Sequence, residues 1–265
     1  MLTLTYPAID PVLLEIGPFA IRWYALSYIG GILLAWRYMV VLARRSPTGI
    51  TKPHIDDFIV WATLGVVLGG RLGYVLFYKA GYYLDHPLEA FAVWQGGMSF
   101  HGGLLGVIFA IWLFSRLRGY SWIAVGDIVA CTAPIGLFLG RIANFINGEL
   151  YGRVTDSPLG MVFPNGGPLP RHPSQLYEAL LEGLLLFLVL AWFAYRPGFF
   201  ERRGFLSGVF LMGYGIARPV AEIFRQPDAH IGFLSVGSTM GQWLSLPLLI
   251  VGLWLVVTSR KNVAS

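Results

Sequence analysis

The sequence predicts an all-α polytopic membrane protein: a bundle of about seven transmembrane helices with a small irregular outer cap, N-terminus outside and C-terminus in the cytoplasm. Three observations predict it. Hydrophobic residues make up 56% of the 265 residues and charged residues only 12%, where a soluble domain carries about 25% charged residues. The mean hydropathy is +0.64. Seven apolar stretches approach the roughly 20 residues that carry a helix across a bilayer. Finally, the basic residues are divided unequally between the two sets of connectors, as a fixed orientation requires.

The predicted spans are Phe19–Leu42, Phe58–Tyr78, Ser99–Leu117, Ile123–Ile146, Leu176–Tyr195, Phe205–Phe224 and Met240–Val257. Short connectors carry turn residues, as in Arg44-Arg-Ser-Pro-Thr-Gly49 and Arg196-Pro-Gly198. The first eighteen residues hold no Lys or Arg, so they lack the basic start of a cleavable signal peptide, and the first span is expected to stay in the mature protein.

Connectors after spans one, three and five, with the tail, hold ten basic residues: Arg44, Arg45, Lys52, Arg116, Arg118, Arg196, Arg202, Arg203, Arg260 and Lys261. The opposite side holds four: Lys79, Arg153, Arg171 and Arg225. The positive-inside rule therefore places the N-terminus outside. The net charge of +5 is accounted for by topology, and nucleic acid is not an expected partner. The remaining five basic residues, Arg22, Arg37, Arg71, Arg141 and Arg218, fall within predicted spans.

Residues 1–265 read as a single integral membrane domain with outer insertions near 79–98 and 148–175. The first insertion carries Tyr82, Tyr83, Phe91 and Trp94 and suits a segment lying at the interface. The second is rich in Pro and Gly, including Asn165-Gly-Gly-Pro168. Glycines at Gly65, Gly69 and Gly73, and at Gly136 and Gly140, are spaced for close helix packing. Cys131 is the sole cysteine, in an apolar run. It excludes an intrachain disulfide and reads as a packed, inert thiol.

Polar residues inside predicted spans carry the functional signal. An uncompensated Arg at the bilayer centre costs about 2.5–3.5 kcal/mol even on the lenient insertion scale, yet span four ends in Gly140-Arg-Ile-Ala-Asn-Phe-Ile-Asn-Gly-Glu-Leu-Tyr-Gly-Arg153. At about 100° per residue, Arg141, Asn144 and Gly148 share a face and Glu149 lies about 80° from Arg141. Span six places Tyr214, Arg218, Glu222 and Arg225 at spacings of four, four and three, a polar stripe on one face. Pro219 is expected to distort that helix and free a backbone carbonyl. Span three opens with Ser99-Phe-His101-Gly-Gly103, whose glycines would clear space around the imidazole, and Tyr24 lies near the start of span one.

Other readings stand beside these. Arg141 with Glu149, and Arg218 with Glu222, could be structural ion pairs. His101 could be a packing residue, Tyr24 an aromatic interface anchor, and Arg22 a snorkelling side chain. Arg71 is either a tie within the bundle or part of a polar cavity. Two arginines on different helices suit a phosphate or carboxylate, and within a membrane boundary such an anion belongs most naturally to a phospholipid headgroup. No HExxH, P-loop or Gly-x-Ser-x-Gly pattern occurs, so no metal and no cofactor is expected. A transporter or flippase for an anionic lipid or metabolite, and a scaffold protein held by buried ion pairs, are the alternatives from other classes.

The stretch Gly140–Arg153 resembles the signature of the bacterial prolipoprotein diacylglyceryl transferases. The resemblance extends through Arg22-Trp-Tyr24, Gly96-Gly-Met-Ser-Phe-His-Gly-Gly103, Arg171-His-Pro-Ser-Gln-Leu-Tyr-Glu178 and Arg218-Pro-Val-Ala-Glu-Ile-Phe-Arg-Gln-Pro-Asp228, in the family's order. Ala143 stands where many members carry Gly. The resemblance implies transfer of the sn-1,2-diacylglyceryl group from phosphatidylglycerol to the lipobox cysteine thiol of a prolipoprotein, with release of glycerol phosphate. It also implies a place in the bacterial cytoplasmic (inner) membrane among membrane lipids, with the cap periplasmic and the active site toward the outer face. Under it, Arg141 and Arg218 hold and polarise the phosphate, and Asn144 and Glu149 orient the headgroup or Arg141. His101 is the candidate base for the thiol, histidine being suited to proton transfer near neutral pH. Tyr24, Gly152, Tyr214, Glu222 and Arg225 shape the substrate cavity.

Overall fold

The computed structural model describes residues 4–17, 19–227, 232–234 and 237–259. Arg260 and Lys261, counted for orientation, and Asp228, at the end of one quoted box, lie outside the described residues. In chain order the elements are β1 (Val12–Ile16), β2 (Phe19–Arg22), α1 (Trp23–Ala43), α2 (Lys52–Phe77), α3 (Ala80–Asp85), α4 (Phe100–Arg118), α5 (Trp122–Ile146), α6 (Ser174–Glu178), a π-helical stretch (Ala179–Leu185), α7 (Leu186–Tyr195), α8 (Phe205–Phe224) and α9 (Met240–Thr258). Among the described residues, six helices are long and apolar enough to cross a membrane: α1, α2, α4, α5, the continuous stretch Ser174–Tyr195, and α9. The protein is therefore a multi-pass helical membrane protein. The α8 helix coincides with the predicted sixth span but carries Arg218 and Glu222 and is not among those six.

Two expectations are corrected at the first two spans. The first helix starts at Trp23, because Phe19–Arg22 pairs antiparallel with Val12–Ile16, turning at Gly17 with φ +58°. Arg22 thus sits on a strand opposite Val12 rather than in a span, and the architecture is helical with one hairpin. The second helix begins at Lys52, with Thr51 as N-cap and proline in the first turn, where the missing N–H would be unpaired in any case.

The chain divides into two compact units, one of residues 39–126 and one of residues 1–38 with 127–265. In the first, α2 and α4 pack backbone to backbone. A Cβ on Gly69 would meet the Gly102 carbonyl, and one on Gly106 the Gly65 carbonyl. Gly102 therefore serves helix contact, a role the sequence reading did not give it. The α4 helix starts with Ser99, whose hydroxyl accepts from the Gly102 amide at 3.2 Å, and ends at Gly119 with φ +75°, the left-handed cap that glycine adopts without strain.

Arg71, buried in α2, donates to the carbonyls of Glu89 and Gly96 at 2.6 Å each and of Ala90 at 2.7 Å, and lies against the Tyr83 ring. It ties the insertion after α2 to its helix. Of the two readings open from sequence, the structural tie is the observed one. The insertion itself is α3 followed by two short 3-10 turns that expose Leu84, Leu88, Phe91 and Trp94.

In the second unit, glycines again set helix distances. A Cβ on Gly183 would collide with Phe138 of α5, and one on Gly208 of α8 with the Gly252 carbonyl of α9. The buried Asp127 carboxylate accepts from the Gly204 and Ser207 amides at 2.7 Å each, satisfying donors that the start of α8 leaves unpaired. Tyr6 donates to the carbonyls of Phe145 and Ile146 at the end of α5. The α8 helix runs unbroken through Pro219, so any distortion there does not end it. Proline removes one hydrogen bond from the ladder, and the packed flanking turns hold the helix. Cys131 is a buried free thiol.

Candidate functional site: a buried arginine–glutamate cluster

Three stretches of the second unit converge their charged residues. Arg141 comes from α5, Glu178 from the end of α6, Glu182 from the π-helical stretch, and Arg218 and Glu222 from α8, with Arg225 at its C-cap. Glu178 and Glu182 are fully buried, whereas the Arg141 and Arg218 side chains keep 17% and 14% of their surface. Glu178 Oε2 is the hub. It lies 2.7 Å from Arg141 Nη2, 3.1 Å from Arg218 Nη1 and 3.4 Å from Arg225 Nη1. Arg218 also donates through Nη2 to Glu222 Oε1, and its Nη1 lies 3.5 Å from Glu182 Oε1. The Tyr214 hydroxyl is within electrostatic reach of Arg141, Glu178, Glu182 and Arg218.

Among the described residues the cluster holds three guanidinium and three carboxylate groups. That balance is what permits it inside a membrane-spanning bundle, since a lone charge would be strongly disfavoured there. Carboxylates hold all three arginines, and the Arg141 and Arg218 side chains keep a minor part of their surface exposed. Planar guanidinium forks so arranged can grip an oxyanion bidentately.

A second polar cluster adjoins the end of α5. Asn144 and Asn147 both donate through Nδ2 to Glu149 Oε1, at 2.8 and 3.2 Å. The loop is pinned by Gln175 Nε2 on the Glu149 carbonyl at 2.6 Å and by the Ser174 hydroxyl on the Leu150 carbonyl. Leu150 has φ +57°, a left-handed conformation that costs a branched residue energy and is sustained by such anchors. The Tyr24 hydroxyl is 3.5 Å from that of Tyr28 and within electrostatic reach of Asn144 and Glu149. A cavity of about 330 Å³ is lined by Gly148, Glu149, Leu150, Tyr151, Asn165, Gln226 and Pro227.

The structure brings together Arg141, Arg218, Glu222, Arg225 and Tyr214 in one cluster, and Asn144, Glu149 and Tyr24 in the other. The Arg218–Glu222 pair read from spacing is present. The possible Arg141–Glu149 pair is not: Arg141 pairs with Glu178, and the asparagines take Glu149. Gly152 is packed by its backbone. Its amide donates to the His172 carbonyl at 2.8 Å, it bridges Arg225, and a Cβ would lie 2.7 Å from His172 Cβ. His101 belongs to the other unit, exposed in the first turn of α4 with its ring edge-on to Phe100.

Glu178 and Glu182 had no assigned role in the sequence reading. Their signal was available: two carboxylates four residues apart in an apolar stretch are as anomalous there as the arginines. The π-helical turn that carries Glu182 has no comparable sequence mark, although such turns recur at functional sites.

Fold and cluster together define a multi-pass helical membrane protein with a charge-balanced polar interior. The sequence model of the prolipoprotein diacylglyceryl transferase family matches residues 11–258. The chain belongs to that family. A phosphatidylglycerol–prolipoprotein diacylglyceryl transferase of Paramagnetospirillum magneticum is 64% identical over 98% of this chain and 97% of its own length. Proteins of the same name from Rhodospirillum rubrum and Rhodospirillum centenum are 58% and 57% identical, over 98% and 95% of this chain and 96% and 92% of their own lengths.

Proposed function

We propose that the protein transfers the sn-1,2-diacylglyceryl group of phosphatidylglycerol to the lipobox cysteine thiol of prolipoproteins. It is a transferase by family. The observation that supports this chemistry in these residues is the set of three arginines held by buried glutamates, with Arg141 and Arg218 partly open. In the reaction the cysteine sulfur attacks the glyceryl carbon and the carbon–oxygen bond to phosphate breaks. Its electron pair stays on the phosphate, so glycerol phosphate leaves and a thioether remains. The leaving phosphate gains negative charge as the bond breaks, and preorganised guanidinium donors stabilise that gain.

In this reading Arg141 is the principal phosphate ligand and Arg218 the second. Glu222 and Arg225 position them, and Tyr214 faces the same cluster. Asn144, Glu149, Gly152 and Tyr24 shape the headgroup end. His101 takes the thiol proton, because the thiolate is the nucleophile. Seven spans including α8, a periplasmic cap, an outer N-terminus and a cytoplasmic C-terminus complete the proposal. The protein is then one integral domain of the bacterial inner membrane, with its active site toward the outer face and surrounding lipids as neighbours. No nucleic acid and no cofactor takes part.

A transporter or flippase would need a polar path continuing along α5 and α8. Away from the cluster these helices are apolar apart from groups such as Asp127, whose oxygens are occupied by the start of α8. The test is to incubate the purified protein with phosphatidylglycerol and a cysteine-containing lipobox peptide. A diacylglyceryl mass gain on the peptide together with released glycerol phosphate is expected, and absence of both overturns the proposal. Near-normal transfer by His101→Gln with an unchanged pH profile overturns the base assignment alone.

A further inference from the structure

Among the described residues, the arginine–glutamate cluster is charge-balanced before any substrate arrives. Arg141, Arg218 and Arg225 face Glu178, Glu182 and Glu222, and a phosphodiester adds another negative charge. In a membrane interior that charge is strongly disfavoured unless a carboxylate leaves or is neutralised.

The three carboxylates are not held alike. Glu178 Oε2 has three guanidinium groups within 3.4 Å. Glu222 Oε1 accepts a hydrogen bond from Arg218 Nη2. Glu182 is fully buried, its Oε1 is 3.5 Å from Arg218, and its Oε2 has no hydrogen-bond partner among the described residues. The nearest cation to that oxygen is Arg141 Nη2 at 3.7 Å. The groups facing Glu182 are Arg141 from α5, Arg218 and Tyr214 from α8, and Glu178 from its own helix. A buried carboxylate oxygen without a donor is where a proton is best accommodated: the neutral acid needs less solvation, and repulsion from Glu178 ends.

We infer that Glu182 is the charge-compensating residue of the site, taking up a proton from solvent when the anionic lipid headgroup binds the arginines. The inference rests on the headgroup reading above. Binding draws arginine charge toward the phosphate and away from Glu182, which raises the carboxylate's proton affinity. The bound lipid and the proton then stabilise one another, and lipid affinity falls as pH rises through the pKa of Glu182 in the complex.

The experiment titrates the full-length protein in detergent with short-chain phosphatidylglycerol. Calorimetry in two buffers of different ionisation enthalpy, between about pH 6 and pH 9, gives the protons exchanged per lipid. Uptake approaching about one proton per lipid is expected at its maximum for the wild type. Glu182→Gln should bind the lipid with no uptake and with affinity that no longer depends on pH in that range. Infrared difference spectra of the wild type with an ether-linked phosphatidylglycerol, which has no ester carbonyl of its own, should show a protonated carboxyl band appearing on lipid addition, independent of whether the variant folds. Lipid binding without proton uptake and without that band overturns the inference and leaves the headgroup reading standing. Uptake retained in Glu182→Gln also overturns it. Failure of the lipid to bind the wild type overturns the headgroup reading, and this inference with it.

Discussion

Arg141 pairs with Glu178 at 2.7 Å, across from α5 to α6, and not with Glu149 eight positions along its own chain. Glu178 is shared by all three arginines of the cluster. Glu178→Gln keeps the shape but leaves three cations facing two carboxylates. We expect a loss of about 3–5 kcal/mol, the range for breaking a buried pair on one side, read as a clear fall in the thermal unfolding midpoint in detergent. The exposed Lys52–Asp56 pair is the contrast: Lys52→Ala should cost no more than about 1 kcal/mol.

Arg141→Lys keeps the charge and loses the fork. A lysine reaching the same place cannot serve Glu178 and an oxyanion together in planar geometry. Transfer to a lipobox peptide is expected to fall about 100-fold or more, with the unfolding midpoint moving less than in Glu178→Gln. Retained activity would remove Arg141 from the phosphate role.

Glycine positions in the helices separate into two kinds. A Cβ on Gly106 would run into the Gly65 carbonyl of the facing helix, whereas around Gly140 there is open space. Gly106→Ala should destabilise by about 1–3 kcal/mol, as overpacking does, while Gly140→Ala should stay neutral or gain slightly through helix propensity. Equal midpoints for the two variants would contradict the α2–α4 packing.

His172 gives the connector between α5 and α6 a pH dependence. Burial holds its imidazole below the ordinary value of 6.5, beside Phe224 and the Tyr177 hydroxyl. The folded protein keeps it neutral where the unfolded chain accepts a proton. Its contribution to stability is therefore complete above that ordinary value and is lost as pH falls toward the lowered folded value. Unfolding midpoints measured from about pH 8 down to about pH 5 should drop for the wild type and drop less for His172→Gln. Parallel curves would count against it.

Much of this was legible from one chain. Apolar runs give span positions because bilayer thickness sets helix length, and the helix starting at Lys52 was misplaced by six residues only because its first turns are polar and proline-containing. The hairpin was missed because Phe19–Ala20–Ile21 is apolar enough to extend a helix on hydropathy alone. Helical spacing found the stripe of Tyr214, Arg218, Glu222 and Arg225, since residues four apart on one helix are neighbours whatever surrounds them. It could not find Glu178 as the partner of Arg141, because that contact spans 37 positions and depends on two helices meeting.

The sequence by itself determined the class, the approximate positions of six spanning helices, the residues too polar for lipid, and the family motifs. Those follow from solvation and from local periodicity, which each segment carries alone. Only the tertiary structure decided that Glu178 gathers three arginines, that Glu182 is left with an unpartnered oxygen, and that Gly102 packs a helix. It likewise decided that Arg71 ties down an insertion. Pairing among buried charges is set by which helix faces come together. The balance of three cations and three anions among the described residues belongs to the packed helices and to no single segment of the chain.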